Sequence, residues 1–243
     1  MILNRQTIAE VLSVDLDGTL LHSEPEAIAV WGRSGYRYMS SKAAEFLIRI
    51  SRQIPIVIAT GRNAQSVRRL TEQIPELRCY GFVLENGFVI KTELDSKLSV
   101  HSRWDEIAGY FPDWERLGGY ENCLGLIPPP SAENPEKRIS QVLADTGQQG
   151  FLYRENHKIF IYPFMPSKLS GCRALGVFPL IAIGDEVNDA DILEAAEYAG
   201  TLSSAHNSVK QIVLKKQGYC SPLSSHAAAE DLLQWVERTL ERL

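Results

Sequence analysis

The chain has 243 residues, with 25 Lys and Arg against 30 Asp and Glu, so its formal net charge is −5 at neutral pH. That balance leaves no broad basic face and argues against a general nucleic-acid binder. At 44% hydrophobic and 23% charged residues the composition is that of a folded globular protein rather than a disordered one. The length suits one large domain, or one domain carrying a smaller one.

The cysteines at positions 79, 123, 172 and 220 form no CxxC pair and no metal-ligand spacing with histidine, so they read as reduced thiols. Residues 1–10 lack a basic stretch followed by an apolar one. Apolar runs such as 178–183 fall far short of a bilayer, and no Asn-x-Ser/Thr sequon occurs. The expectation is a cytoplasmic chain with no membrane partner. No feature indicates an oligomeric state.

Residues 10–14 form a Val- and Leu-rich run that stops at Asp15-Leu16-Asp17-Gly18-Thr19, the pattern of a buried strand ending in a loop. Residues 42–50 follow, with Ala43, Phe46, Leu47 and Ile50 on one helical face. A second strand-like run, 54–59, stops at Thr60-Gly61-Arg62. Asn63 can cap a helix whose stripe is Ala64, Val67, Leu70 and Ile74. The next run, 81–84, stops at Glu85-Asn86-Gly87, and a fourth, 178–183, stops at Gly184-Asp185-Glu186. Strand and helix alternate, which implies βαβ units and a largely parallel sheet covered on both faces. Ligands bind beyond the carboxyl ends of such strands, where every polar stop falls.

From residue 88 to residue 166 the rhythm breaks. Strand-like pieces at 87–91 and 158–162 flank a stretch holding Trp104, Tyr110, Phe111, Trp114, Tyr120 and the prolines at 128, 129 and 130. The segment reads as an inserted α+β domain, dividing the chain into a first core segment, residues 1–87, an insert, residues 88–166, and a second core segment, residues 167–243. That second segment ends in a helix from about Ala228 with Leu232, Leu233, Val236 and Leu240 as its buried stripe.

Asp15 and Asp17 stand two apart at a strand end, and Gly18 lets the backbone turn so that both reach one pocket. Two carboxylates that close repel, and a divalent cation with hard oxygen ligands, such as Mg²⁺, relieves the repulsion. Asp185 and Asp189, four apart in a segment that opens a helix, can meet the same ion. Lys168 and Thr60 supply cationic and hydroxyl contacts to an anion. These are the groups that bring a phosphoryl group against a carboxylate.

Taken together, the segments Asp15-Leu16-Asp17-Gly18-Thr19-Leu20-Leu21, Ile58-Ala59-Thr60-Gly61-Arg62, Ser167-Lys168 and Gly184-Asp185-Glu186-Val187-Asn188-Asp189 resemble the four ordered motifs of the haloacid dehalogenase superfamily. The nearest resemblance is to its Cof-type and sucrose-phosphatase-like phosphatases with a C2B cap. The resemblance spans nearly the whole chain and implies a Rossmann-like parallel-sheet core with a smaller α+β cap. It implies an Mg²⁺-dependent phosphomonoester hydrolase with a small phosphorylated metabolite, a sugar phosphate, as substrate. Asp15 would be the nucleophile that becomes an aspartyl phosphate, and Asp17 the acid that protonates the leaving oxygen and then activates water. Thr60, Gly61 and Lys168 would hold the phosphoryl oxygens. Mg²⁺ would sit on the Asp15 carboxylate, the backbone carbonyl of Asp17 and Asp185, with Asp189 nearby or reached through water. Segment 88–166 would lie over the site and select the leaving group.

The bland readings are specific too. Asp189 is accounted for by the dipole of the helix it opens, Asn86-Gly87 is a common turn, and Arg62 and Asn188 are otherwise ordinary polar residues. Arg62, Asn86 and Asn188 stand as candidate substrate contacts. The aromatics of the insert read as core, and the histidines at 22, 101, 157, 206 and 226 share no spacing. Residues 31–38, aromatic and glycine-rich, lengthen the stretch between the first two motifs and match nothing in the family pattern. A sugar phosphomutase of the same superfamily and a catalytically silent binding protein are the competing readings. The silent protein is expected to lose Asp15, Asp17 or Lys168, and all three are present.

Overall fold

A computed structural model describes residues 8–32, 35–94 and 102–243. Expectations that fall on residues 1–7, on Arg33 and Ser34 within the aromatic excursion, and on His101 and the rest of 95–101 in the insert lie outside the described residues.

The chain begins with β1 (Ala9–Val14), β2 (Ile28–Gly32), β3 (Gly35–Met39), α1 (Ser41–Ile50), β4 (Ile56–Ala59), α2 (Ala64–Thr71), β5 (Cys79–Leu84) and β6 (Val89–Lys91). It continues with α3 (Ser102–Gly109), β7 (Glu115–Leu117), β8 (Leu124–Ile127), α4 (Pro135–Asp145), β9 (Phe151–Glu155) and β10 (Lys158–Tyr162). The last elements are α5 (Lys168–Ala174), β11 (Val177–Ile183), α6 (Ala190–Ala195), β12 (Tyr198–Leu202), α7 (Asn207–Lys215), β13 (Tyr219–Ser221) and α8 (Ser225–Leu240). Two compact units result: Met1–Arg62, Ser66–Leu94 and Ser167–Leu243 form one, and Asn63–Gln65 with Asp95–Pro166 form the other.

The larger unit is built on a seven-stranded sheet in the order β13-β12-β11-β1-β4-β5-β6. It is parallel except for β6, which runs antiparallel to β5 through Phe82↔Lys91 to Leu84↔Val89. This edge strand accounts for the early break in rhythm. Residues 89–91 pair inside the main sheet, and the larger unit extends to Leu94, seven residues past the boundary expected at 87.

The parallel strands are continuous apolar runs because both faces are covered. Val11, Leu12, Val57, Val83, Ile181 and Ala182 are all fully buried. Ala43, Phe46, Leu47 and Ile50 of α1 are buried as their spacing requires, and Ser40 caps that helix by accepting from the Ala43 amide at 3.1 Å. In α8, Leu232, Leu233 and Val236 are buried while Leu240 is only partly so. Thr239 takes the last buried position and donates to the Trp235 carbonyl. Each of those leucines contributes roughly 1.5–3 kcal/mol on burial.

The chain lays β1, β4 and β5 in one direction and β11, β12 and β13 in the other, so the order reverses between β1 and β11. A crevice opens at the carboxyl ends on either side of such a reversal. Register brings those ends level, with Val14 beside both Ile183 and Ile58, and Ala59 beside Val83.

The smaller unit is an antiparallel sheet in the order β7-β8-β10-β9. Alternation turns Leu124, Leu126, Ile159 and Ile161 to one face, where they pack with Trp104 and Ile107 of α3 and Ile139 and Leu143 of α4. The aromatic residues serve that core: Phe111 and Trp114 are buried with ring centroids 4.6 Å apart, and the Trp104 indole donates to the Asn122 carbonyl. Tyr110 differs and is exposed. All four cysteines are free thiols, and among the described residues no helix is long and apolar enough to cross a membrane.

Candidate active site

Level strand ends bring three distant segments together. Asp15 follows β1 and donates its amide to the Ile183 carbonyl at 3.0 Å; Asp185 follows β11 after Gly184. Gly18 turns the chain between them with φ +85°, a region that favours glycine. A Cβ there would stand 2.1 Å from the Asp185 carboxylate, so no side chain fits. The turn carries Thr19, fully buried, whose hydroxyl lies 2.7 Å from Asp185 Oδ1 and 3.3 Å from Asp15 Oδ2. Thr19 belongs to the first motif, yet its contact with Asp185 spans 166 positions and has no sequence signal of its own.

Lys168 opens α5, whose cap Ser167 accepts from the Ser170 amide and donates to Asp191 Oδ2 at 2.5 Å. The lysine side chain is fully buried and its ammonium donates to Asp15 Oδ1 at 2.6 Å and Asp189 Oδ1 at 2.5 Å. Asp189 uses its other oxygen to accept the amides of Asp185 and Glu186, closing the single 3₁₀ turn Val187–Asp189. It is therefore engaged on both oxygens.

Asp15, Asp185 and Asp189 offer carboxylate oxygens that all lie within 4.8 Å of one another, the one such group among the described residues. At that separation each pair of like charges costs about 3–4 kcal/mol at an effective dielectric near 20. Lys168 answers two of the three acids. Burial alone would lower its pKa, but the Asp15 and Asp189 carboxylates outweigh burial and hold it above the ordinary lysine value. Burial pushes the Asp15 carboxyl up to about 7 against the pull of Lys168. Asp185, buried beside Asp15 and Asp189 and receiving a hydroxyl rather than an ammonium, is pushed up to about 9. When ionised, the three acids carry more negative charge than the lysine balances, and their hard oxygens suit a divalent cation.

The second motif closes the other side. Thr60, buried at the end of β4, donates its amide to Val83 and accepts the Arg62 amide on its hydroxyl at 3.2 Å, with Gly61 between them. Glu85, Asn86 and Gly87 adopt three successive left-handed conformations, φ 50°, 56° and 105°. Their turn returns the Glu85 amide to the Arg62 carbonyl and the Asn86 amide to Thr60. Gly87 is required because a Cβ would meet the Ser167 carbonyl at 2.0 Å. Asn86 Oδ1 accepts from Asn188 Nδ2 at 2.8 Å, joining two residues expected to touch substrate.

Asp17 stands apart from the three-acid group. Its side chain is 45% exposed, and both carboxylate oxygens accept from Arg62 at 2.6 Å. The sequence presents Arg62 as a candidate substrate contact; in the structure its guanidinium is buried against Asp17.

Residues 12–107 match the family of haloacid dehalogenase-like hydrolases. No curated protein matches the sequence. Among solved structures, a haloacid dehalogenase-like hydrolase from Bacteroides thetaiotaomicron superposes with a TM-score of 0.67 at 19% identity, covering 96% of this chain and 99% of that one. BT1666, described among phosphatases of that superfamily from the same organism, gives 0.64 at 16%, with coverage of 100% and 99%. A trehalose-6-phosphate phosphatase related protein gives 0.61 at 16%, with 96% and 99%. At these identities the structural likeness speaks for the fold. A family match that carries the first two motifs and a sheet that brings the acids of the first and fourth to one crevice make residues 12–107 similar in sequence, and the whole chain similar in fold, to haloacid dehalogenase-like hydrolases.

Proposed function

We propose that the protein is an Mg²⁺-dependent phosphomonoester hydrolase that works through an aspartyl phosphate on Asp15 and acts on a small phosphorylated metabolite, a sugar phosphate. The observation that carries the reading is the imbalance at the crevice, three carboxylates within 4.8 Å and one ammonium. A site built for a neutral ligand has no use for such a charge pattern, whereas a cation and a phosphoryl group complete it.

Asp15 is the nucleophile. Lys168 holds its Oδ1, so Oδ2 is the oxygen that forms the bond to phosphorus as the ester oxygen leaves. Asp17 gives that leaving oxygen its proton and then takes one from the water that cleaves the aspartyl phosphate. Asp15 and Asp185 would hold Mg²⁺, with Asp189 reached through water, because Asp189 is engaged by Lys168 and two amides. When bound, the ion supplies charge neutralisation for the carboxylates and the phosphoryl oxygens. Thr60, Gly61 and Lys168 bind those oxygens, and Asn86 with Asn188 faces the substrate.

The sugar assignment is supported by the fold shared with a trehalose-6-phosphate phosphatase related protein and by the acidic charge, which repels polyanionic substrates. We assign selection of the leaving group to the insert, since the motifs of the larger unit handle only the phosphoryl group. The test is phosphate release from a panel of sugar phosphates, nucleotides and a phosphopeptide, with Mg²⁺ and with EDTA. Preference for a sugar phosphate, lost on chelation, is expected. Activity that survives EDTA, or preference for the phosphopeptide, overturns the reading.

A further inference from the structure

We propose that Arg62 is the positioning residue for Asp17 and makes the place of that acid depend on the β2–β3 hairpin. The proposal rests on the phosphohydrolase reading above, in which Asp17 moves the proton of the leaving group.

Arg62 is 3% exposed and fixed along its whole length. Its amide donates to Thr60 Oγ1 and its carbonyl accepts the Glu85 amide. Nε and Nη2 donate to the two Asp17 oxygens at 2.6 Å each, and Nη1 donates to Ser66 Oγ at 2.7 Å and the Trp31 carbonyl at 3.3 Å. One donor from Nε, one from Nη2 and two from Nη1 make four of the five that a guanidinium has. A group so engaged is a poor substrate contact and a good template. A planar fork sets the plane of a carboxylate as well as its position, which an ammonium cannot do.

The other end of the guanidinium belongs to the hairpin. Val30 and Met39 bury its inner side, while Gln73 donates to the Ala29 carbonyl and Ser66 donates to the Trp31 carbonyl that Arg62 also holds. Trp31 and Tyr36 stand outward, each 53% exposed, with their rings edge to face at 5.1 Å. One guanidinium therefore separates the acid from the hairpin backbone. A shift of about 1 Å at a reacting group costs on the order of a hundredfold in rate.

The test compares Arg62→Ala, Arg62→Lys, Asp17→Asn and the double variant Arg62→Ala with Asp17→Asn. Turnover is measured on p-nitrophenyl phosphate, whose leaving group needs little protonation, and on glycerol phosphate, whose leaving group needs it; hydrogen exchange is followed over residues 28–32 and 35–39. Arg62→Ala should lose on the order of a hundredfold in kcat on glycerol phosphate and only about fivefold on p-nitrophenyl phosphate, with KM little changed. Added guanidinium ion should recover some of the loss, and the double variant should be no slower than Asp17→Asn alone. Hairpin exchange should quicken in Arg62→Ala and in Asp17→Asn. Equal losses on the two esters, a loss carried by KM, or multiplying losses in the double variant overturn the proposal. Should Arg62→Ala fail to fold, Arg62→Lys keeps the charge without the fork and carries the same comparison. A wild-type protein inactive on both esters breaks the phosphohydrolase reading instead, and unchanged hairpin exchange in Asp17→Asn then decides against the tether.

Discussion

Asp15 and Asp17 leave the same strand end two residues apart and meet opposite surroundings. Asp15 is buried among two further carboxylates, one ammonium and the Thr19 hydroxyl, and its carboxyl is pushed up to about 7. The Asp17 side chain is nearly half exposed and shares its charge with one guanidinium in a fork. In the proposed reaction the difference suits two tasks. A nucleophile needs to be dry, fixed and neutralised at the moment phosphorus arrives, whereas an acid that gives and takes protons needs access to water and a fixed plane. Gly18 turns the chain after both carboxylates and brings Thr19 back onto Asp15 and Asp185.

The strongest break in this contrast is Asp15→Asn, which keeps the shape and removes the charge of the proposed attacking oxygen. Phosphate release should fall by on the order of 10⁴-fold or more, because the covalent route has no substitute. Release measured with a coupled phosphate assay that falls less than tenfold would remove the nucleophile role from Asp15. Next comes Lys168→Ala. Its ammonium is the cation among the described residues that touches both Asp15 and Asp189, and loss of a preorganised charge contact of this kind costs on the order of a hundredfold in kcat. An effect of a few-fold in steady-state kinetics would reduce the lysine to a structural counter-charge.

Thr19→Val sharpens the buried side alone. The hydroxyl orients Asp185, a candidate ligand of the cation, at 2.7 Å. Loss of such an orienting contact lowers metal affinity by about tenfold or more. The Mg²⁺ concentration for half-maximal activity should rise by about that factor while kcat at saturating Mg²⁺ stays near wild type. A drop in kcat with unchanged Mg²⁺ dependence would assign Thr19 to the chemistry instead.

These residues were not equally legible in the sequence. The buried parallel strands announce themselves as unbroken apolar runs that end in polar residues, so Asp15, Thr60 and Asp185 could be placed at strand ends, and the rule for parallel sheets put them at one edge. The α1 and α8 stripes follow from helical periodicity. What the sequence could not show depends on register between distant segments. Thr19 reaches Asp185 only because Val14 aligns with Ile183, and Arg62 meets Asp17 only because Val14 also aligns with Ile58. The excursion at 31–38 carried no family pattern, and its described residues belong to a hairpin with His22 paired to Tyr38. The strand β6 was legible as a strand-like piece at 87–91, but not its place in the main sheet: at three residues, antiparallel and at the sheet edge, nothing in it tells which sheet it pairs with.

The smallest expected effect is on stability, and its sign follows from the direction of the two shifts. In the metal-free protein Asp15 is pushed up to about 7 and Asp185 up to about 9, from an ordinary value of 3.8. Between pH of about 4 and about 9 the folded chain therefore binds more protons than the unfolded chain, and stability falls as pH rises through that window. Raising the pH turns neutral carboxyls into charges that repel at close range without a cation. Mg²⁺ bound as proposed would hold the ionised form and reverse the penalty, so its stabilisation should grow with pH. A chain of this size shifts by roughly 2–4 °C in Tm per kcal/mol. Thermal melts with Mg²⁺ and with EDTA should therefore differ by a few degrees at pH 8 and by little at pH 5.5. Asp185→Asn, which removes the most strongly shifted carboxyl, should raise the Tm of the metal-free protein at pH 8 and abolish most of the Mg²⁺ response. A Mg²⁺ shift that is equal at both pH values, or one that persists in Asp185→Asn, would place the ion elsewhere than on the buried acids.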